Sequence, residues 1–285
     1  MKIKKINQFS LPELWFWTWP MWWYKHKIDW YDDTKDIETI DFLIENWITH
    51  FDTAELYWTW AAEEILWKAI KKYPREKFQI ASKVKWSNCS YNAIKIACKK
   101  SLTRLWIDYL DLYYIHWRDK KFDLKDVMKA MDELKNEWLI KNIWVSNFSL
   151  ESLKGAQSYT KNKIVANQVH YNLIYREPEK ELLKYCQEND ILLVAWRPIE
   201  LWKLANSWTQ ALVETALKYK KTHSQIAINF LTSQKNVVTI FHSTDKNHIL
   251  ENLWALWWHL KDEDLENLRK NFSGQVWRSD VLFLW

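Results

Sequence analysis

The chain of 285 residues contains only 2 glycines, where average usage of about 7% predicts roughly 20. It contains 3 cysteines, an odd number without the spacing of a metal site, so we expect neither a disulfide framework nor bound zinc. No apolar run approaches the length of a membrane-spanning helix, and the first residues lack the apolar core of a signal peptide. These absences predict reduced thiols in a cytoplasmic protein that has no membrane partner.

The residues that are present are ordinary apart from one excess. Apolar residues make up 48% of the chain and charged residues 27%, as in most globular proteins. The net charge of +5 comes from lysines spread over predicted helices rather than gathered in a patch, so we expect no nucleic-acid partner. The excess is in tryptophan, with 23 residues, and it is about as large as the deficit in glycine.

Segments with helical spacing alternate with short strand-like runs along the whole chain. The predicted strands are Leu14–Thr18, Ile48–Asp52, Phe78–Lys83, Tyr109–Ile115, Ile140–Val145, Ile164–Val169, Ile191–Ala195 and Val237–Ile240. The predicted helices are Asp36–Asn46, Ala62–Lys72, Tyr91–Leu105, Leu124–Asn136, Leu150–Tyr159, Glu179–Asn189, Gln210–Lys220, Gln225–Ser233 and one from Lys246. This alternation predicts parallel strands with crossover helices, in a closed barrel or an open sheet. No linker or repeat interrupts it, so we expect a single domain over residues 1–285.

Many tryptophans stand where the backbone favours glycine. Trp47, Trp106 and Trp138 each follow a predicted helix and precede a predicted strand, at the position where chains commonly turn left-handed. Trp58 and Trp60 lie in a predicted turn before another helix. Our hypothesis is that the gene uses a codon, UGA, that its own cell reads as glycine and that is written here as tryptophan. The alternative is a protein truly rich in tryptophan, which would carry left-handed strain and overpacking at many sites.

Four segments in register carry polar residues at or just after the ends of predicted strands. They are Thr49-His50-Phe51-Asp52-Thr53-Ala54-Glu55-Leu56-Tyr57-Trp58, Ile80-Ala81-Ser82-Lys83, Leu110-Asp111-Leu112-Tyr113-Tyr114-Ile115-His116 and Ile143-Trp144-Val145-Ser146-Asn147-Phe148. In this order they resemble the signatures of the aldo-keto reductase family, and the resemblance runs from about Leu14 to Leu260. It implies an α/β fold, the (β/α)8 TIM barrel with parallel strands, with a short N-terminal β-hairpin. It also implies NAD(P)H-dependent reduction of an aldehyde or ketone to an alcohol.

The resemblance implies a catalytic role for four residues. Tyr57 is the general acid, and Lys83 lowers its pKa. Asp52 pairs with Lys83, and His116 orients the substrate carbonyl. This chemistry suits a carbonyl that accepts a hydride, because the developing alkoxide needs a proton donor and a stabilising charge. Each residue also has a structural alternative: Asp52 as a helix cap, Lys83 at the surface, Tyr57 at the rim and His116 as a core histidine.

The same resemblance implies a set of cofactor contacts. The implied cofactor-binding residues are Thr18, Trp19, Ser146, Asn147, Gln168, Trp196, Arg197, Pro198, Ser243, Thr244, His248, Glu251 and Asn252. Ser146, Asn147 and Gln168 match the residues that hold the carboxamide, and Trp196 takes the place of the aromatic that stacks on the nicotinamide. Trp19 and Trp117 are the implied substrate contacts. The tryptophans that suit the family, and that we retain as true, are Trp19, Trp117, Trp196 and Trp258. Of the 23 tryptophans, removing these 4 leaves 19 suspected glycines.

The last matching segment leaves the cofactor choice open. NADP(H) is favoured and NAD(H) is the alternative, because His248 stands where an arginine commonly grips a 2′-phosphate. We expect no metal, a small-molecule carbonyl substrate as partner, and a monomer. Two other functions stay open. One is a cofactor-binding regulatory or accessory subunit on the same barrel with little turnover, which the intact catalytic set disfavours. The other is a barrel lyase or isomerase, which would need a Schiff-base lysine or a phosphate loop.

Overall fold

The structure is a computed structural model, and it describes residues 3–6, 9–19, 32–57, 60–272 and 274. Trp58 therefore lies outside the described residues. At the start of the chain, β1 (Ile3–Ile6) and β2 (Phe9–Pro12) pair antiparallel, with Ile3 opposite Pro12 and Ile6 opposite Phe9. This pair confirms the predicted N-terminal hairpin.

Eight further strands form a closed barrel in the order β10-β3-β4-β5-β6-β7-β8-β9. Their bounds are β3 Leu14–Trp17, β4 His50–Asp52, β5 Gln79–Val84, β6 Leu110–Ile115, β7 Ile140–Ser146, β8 Ile164–His170, β9 Leu192–Trp196 and β10 Val237–Phe241. The strand pairs run parallel, as from β3 through β7 and from β9 to β10. The closed barrel confirms the predicted (β/α)8 TIM fold and excludes the alternative of an open sheet.

Helices follow the barrel strands in the described part of the chain. Their bounds are α1 Thr34–Glu45, α2 Ala61–Ile70, α3 Tyr91–Leu105, α4 Leu124–Asn136, α5 Leu150–Ser158, α6 Leu182–Glu188, α7 Gln210–Tyr219, α8 His223–Thr232, α9 Lys246–Leu253 and α10 Asp262–Asn271. Short 3₁₀ turns cover Arg75–Lys77, Trp86–Asn88 and Glu177–Glu179. Within the described ranges, no helix is both long and apolar enough to cross a membrane.

Several predicted bounds differ from the structure by one to three residues, and two of the differences have a visible cause. The helix predicted over Glu179–Asn189 is wrong at its start, because Glu181 has φ −146° and separates α6 from the preceding 3₁₀ turn. Tertiary contacts hold that turn, since the Glu179 carboxylate accepts from the Tyr171 hydroxyl at 2.7 Å and pairs with Arg269 at 3.2 Å. The strand β4 begins two residues later than predicted, because the Ile48 N–H still donates to the Leu43 carbonyl near the end of α1.

By its contacts the described chain divides into two compact units. The first unit comprises residues 15–167, and the second comprises residues 3–14 with 168–272 and 274. In the first unit, Phe16 and Phe51 from neighbouring strands are fully buried and meet edge to face at 6.3 Å. In the second unit, Leu193 and Val238 are fully buried strand residues.

The predicted left-handed turns are present at Trp47, Trp106 and Trp138, with φ of 70°, 51° and 60°. Each turn has the same two hydrogen bonds. The tryptophan N–H donates to the carbonyl oxygen of the residue three positions earlier, and the next N–H donates to the carbonyl oxygen of the residue five positions before it. This is the Schellman motif, whose left-handed position glycine prefers because it lacks a Cβ. The indoles pack little, since these residues are 78%, 72% and 81% exposed. The three tryptophans therefore occupy the left-handed turns that the sequence pattern predicts.

Candidate active site

Four strand-end residues of the first unit come together in one buried cluster. Asp52 ends β4, Tyr57 lies in the loop that follows, Lys83 is the penultimate residue of β5, and His116 follows β6. The side chains are buried, with at most 5% of any of the four residues exposed. The order of the strands thus gathers residues that lie far apart in the chain, as the sequence predicts.

Lys83 is the centre of this cluster. Its ammonium Nζ donates to the Asp52 carboxylate, to the Tyr57 oxygen at 3.0 Å and to the Thr53 carbonyl at 2.9 Å. The surface alternative for Lys83 and the rim alternative for Tyr57 are therefore wrong. The cap alternative for Asp52 is also wrong, because α2 begins after Trp60 without a side-chain cap.

His116 lies beside Tyr57 as a neutral ring. The two ring centroids are 5.7 Å apart and nearly perpendicular. Burial, together with the nearby charge of Lys83, holds the pKa of His116 well below its usual range. Its buried Nδ1 has no hydrogen-bond partner among the residues that the structure describes. A fully satisfied core histidine would have a partner for this atom.

The pKa of Tyr57 moves opposite to the sequence-based expectation. Burial and the Asp52 carboxylate raise it well above the ordinary tyrosine value, and the Trp17 hydrogen bond opposes the rise. In this resting cluster the raising effects on the pKa of Tyr57 outweigh the lowering expected from Lys83. The reason is that Asp52 neutralises the Lys83 charge, while desolvation penalises any phenolate. Tyr57 is therefore a protonated phenol at neutral pH.

Trp17 is a contact of the site that the sequence does not reveal. Its indole Nε1 donates to the Tyr57 oxygen at 2.8 Å, and its ring stacks on Trp19 at 5.2 Å with planes 13° apart. Tyr57 lies 40 residues further along the chain, so no local pattern could predict the pair. Trp17 is one of the 19 suspected glycines, and in the printed chain its indole packs against the Tyr57 phenol.

The other implied contacts of the first unit lie next to the cluster. The Thr18 N–H donates to the Asp52 carbonyl at 3.0 Å, which fixes the end of β3. The Asn147 amide donates to the His116 carbonyl at 3.1 Å and to the Ser146 hydroxyl at 2.9 Å, from a backbone with φ 61°. Trp117 packs on His116 with ring centroids 4.7 Å apart.

The implied nicotinamide contacts of the second unit lie on two neighbouring strands and directly after the second of them. Gln168 lies in β8, Trp196 ends β9, and Arg197 and Pro198 follow it. Trp196 is 5% exposed, and the side chains around it are buried. Arg197 turns left-handed with φ 58°, which redirects the chain after the strand.

The implied adenosine-phosphate segment forms the start of α9. Asp245 caps this helix by accepting from the N–H groups of Asn247 and His248, and the Asp245 N–H in turn donates to the Ser243 hydroxyl at 3.1 Å. His248 is exposed, and its ring centroid lies 5.2 Å from that of Trp202. Thr244 and Glu251 are half-buried, and Asn252 is buried.

A cavity elsewhere in the first unit is separate from this cluster. A cavity of about 530 Å³ in the first unit is lined by Glu55, Lys85 and Arg104 among others, and it contains none of the four clustered residues. No group of three or more histidine, cysteine or acidic side chains suited to a metal occurs in the described ranges. The cluster of Asp52, Tyr57, Lys83 and His116 is therefore the arrangement with the clearest chemistry among the described residues.

Comparison with known proteins assigns the chain to a family. The sequence model of the aldo/keto reductase family matches residues 21–271. Glyoxal reductase of Bacillus subtilis is 34% identical over 233 residues, which is 81% of each chain. The methylglyoxal reductase of Escherichia coli is 31% identical over 236 residues, covering 81% of this chain and 82% of that protein.

Solved structures agree with this assignment. A thermostable aldo-keto reductase (Tm1743) with the inhibitor epalrestat superposes with a TM-score of 0.91 and 34% identity, covering 95% of this chain and all of that one. An aldo-keto reductase from Klebsiella pneumoniae in complex with NADPH gives a TM-score of 0.85 and 27% identity, covering 99% of this chain and all of that one. The chain therefore belongs to the aldo/keto reductase family, and its activity is the NAD(P)H-dependent reduction of a carbonyl group.

Proposed function

We propose that Tyr57 delivers the proton to the carbonyl oxygen of a bound aldehyde or ketone. The observation that carries this proposal is the buried Lys83 ammonium, which bridges the Asp52 carboxylate and the Tyr57 oxygen. Tyr57 accepts two hydrogen bonds there, and no described residue accepts the proton of its own hydroxyl. The bound nicotinamide supplies the hydride.

The charges around Tyr57 support this role. The raised pKa keeps the proton on the phenol until a carbonyl oxygen gains negative charge. Loss of the proton then leaves a phenolate 3.0 Å from the Lys83 ammonium, which stabilises the new charge in place. Asp52 holds that ammonium in position. Neutral His116 forms a hydrogen bond to the substrate oxygen without adding a charge.

Each unit carries buried groups of the kind that a nicotinamide cofactor needs. In the first unit, Ser146 presents a buried hydroxyl and Asn147 a buried amide beside His116. In the second unit, Gln168 is a buried amide and Trp196 supplies a flat apolar ring. We propose NADP(H) as the favoured cofactor, supported by the NADPH complex of the Klebsiella relative. His248 in place of the expected arginine keeps NAD(H) as the alternative, and titration with NADPH and NADH decides between them.

We propose small aldehydes and vicinal dicarbonyls as the substrate class. The support is that two similar enzymes are named glyoxal reductase and methylglyoxal reductase. Trp19 and Trp117 are the proposed apolar contacts for such substrates, and Trp117 packs directly on His116.

We further propose that glycine is the natural residue at the 19 suspected tryptophans. Five described tryptophans have positive φ: Trp47, Trp60, Trp106, Trp138 and Trp202. Left-handed backbone costs a residue with a Cβ about 1–2 kcal/mol, so the five together cost about as much as a domain's whole stability. Sequencing the gene tests this directly: UGG codons at these sites contradict it, and UGA codons agree with it.

The activity test compares three proteins: the printed chain, the Gly-decoded chain with glycine at all 19 positions, and the Gly-decoded chain with Tyr57→Phe. We expect the Gly-decoded chain to oxidise NADPH with a small aldehyde about 10²–10⁴ times faster than the Tyr57→Phe variant. We also expect Trp17→Gly alone to increase activity in the printed chain, because it uncovers Tyr57. Equal rates with and without Tyr57 would contradict the catalytic assignment. Tight cofactor binding without turnover would instead favour the accessory-subunit function.

We also propose that the protein is a cytoplasmic monomer with one domain over residues 1–285. The three cysteines support a reducing compartment, since Cys89, Cys98 and Cys186 are all buried and unbridged. Light scattering tests the monomer, and a single cooperative unfolding transition tests the single domain.

A further inference from the structure

Two buried residues of the second unit, His170 and Glu200, contact the segment that carries Trp196. His170 ends β8 and is 2% exposed, and Glu200 follows β9 and is 3% exposed. The His170 imidazole lies flat on the Trp196 indole, with ring centroids 4.2 Å apart and planes only 8° from parallel. Tyr175 also packs on the imidazole, at 4.4 Å. The sequence gives no reason to assign His170 more than a structural role.

Glu200 fixes the orientation of this imidazole. Its Oε2 lies 2.6 Å from Nε2 of His170 and accepts from the Asn172 amide at 2.9 Å. The same Asn172 amide donates to the Arg197 carbonyl at 2.8 Å, which ties the pair to the residue after Trp196. The His170 imidazole has little freedom to rotate, because Trp196 packs on its face and Glu200 contacts its Nε2.

The protonation states are consistent with this geometry. Burial lowers the pKa of His170, although the Glu200 hydrogen bond opposes the shift. His170, Asn172 and Arg197 together lower the pKa of Glu200 despite its burial. At neutral pH the pair is therefore a neutral imidazole that donates from Nε2 to a carboxylate.

We propose that His170 and Glu200 are positioning residues, which hold the Trp196 ring in the plane needed to stack on the nicotinamide. This inference rests on the proposed cofactor site, in which Trp196 contacts that ring. Neither residue is proposed to touch the cofactor. The segment after Trp196 has left-handed backbone at Arg197 and Glu200, with φ of 58° and 46°, which supports a dedicated role for this segment.

The test measures binding rather than activity, by calorimetry on full-length Gly-decoded protein. Two ligands are compared: NADPH, and adenosine 2′,5′-bisphosphate, which lacks the nicotinamide. We expect His170→Leu to weaken NADPH binding about fivefold to tenfold, as for loss of one aromatic stacking partner. Binding of the bisphosphate should not change, because it does not reach Trp196.

Glu200 variants separate positioning from simple packing. Glu200→Leu should weaken NADPH binding as His170→Leu does. Glu200→Gln should restore it, since an amide oxygen still accepts from Nε2 of His170. The matched control is Phe230→Leu, which shortens another fully buried aromatic of the second unit and should alter neither affinity.

Every outcome of this experiment decides the proposal. Unchanged NADPH affinity in His170→Leu overturns it, as does an equal loss of both ligands, which would indicate general damage. A loss in Phe230→Leu as large as in His170→Leu also overturns it. If the parent protein binds neither ligand, the proposed cofactor site itself fails, and the positioning role fails with it.

Discussion

Replacing Trp47 and Trp138 by glycine is expected to stabilise the folded protein. Both residues occupy the left-handed position of a Schellman motif, with φ of 70° and 60°. An L-residue pays about 1–2 kcal/mol for this conformation, and the greater freedom of glycine in the unfolded chain offsets roughly 0.5–1 kcal/mol of the gain. We therefore expect each substitution to raise the free energy of unfolding by about 0.5–1 kcal/mol.

Loss of the indoles should not reverse this gain. The two residues are 78% and 81% exposed, so about a fifth of each is covered in the folded state. An unfolded chain already covers a comparable share of its apolar surface, roughly 10–40%. Removing the indole therefore changes the buried apolar area little. The relief of backbone strain decides whether the free energy of unfolding rises or falls.

Two controls separate backbone strain from loss of the ring. Trp138→Ala removes the indole but keeps the Cβ, so it should give none of the gain. Trp254→Gly is the matched case with ordinary backbone, since Trp254 is 58% exposed at the end of α9 with φ −71°. It should lower stability by about 0.5–1 kcal/mol. Urea unfolding measures all four variants, and the reasoning is refuted if glycine at Trp47 and Trp138 does no better than at Trp254.

Three further perturbations test the buried polar groups. Asp52→Asn leaves a buried ammonium without its counter-charge, so urea unfolding should show a loss of about 3–5 kcal/mol. Burial lowers the pKa of His50 to about 3, so the unfolded chain binds a proton that the folded chain does not. The free energy of unfolding should therefore fall as the pH drops below 6.5, by about 2 kcal/mol at pH 5 from this residue, with a flatter profile in His50→Gln. Burial raises the pKa of Cys89, Cys98 and Cys186 to about 12, so a thiol reagent at pH 8 should label them only after unfolding.

Much of the fold could be predicted because its signals are local. The bounds of α3 and α4 match their predictions, since apolar spacing and flanking residues mark both ends. The left-handed turns at Trp47, Trp106 and Trp138 were also predictable, because a helix followed closely by a strand needs such a turn. Lys220 ends α7 in the same way with φ 53°, so the motif tolerates a side chain at a cost.

The errors come from long-range effects that local patterns do not contain. The direction of the Tyr57 pKa depends on how completely the fold removes water from the phenol, which a sequence motif does not state. The stacking of His170 on Trp196 joins the ends of two strands, and the hydrogen bond from Trp17 to Tyr57 spans 40 residues. The sequence thus predicts which residues form the cluster, whereas their protonation and neighbours require the three-dimensional structure.

The indole of Trp17 has a consequence for how the printed chain would behave as an enzyme. Trp17 ends β3, directly before Thr18, so the chain itself holds its Nε1–H beside the Tyr57 oxygen. Dilution of the protein does not lower the local concentration of this tethered group. A diffusing aldehyde must push this indole aside to reach the phenol, although Trp17 does not accept the Tyr57 proton that the aldehyde needs. Kinetically, the printed chain should therefore resemble an enzyme saturated with its own inhibitor, and excess substrate would only partly relieve the inhibition.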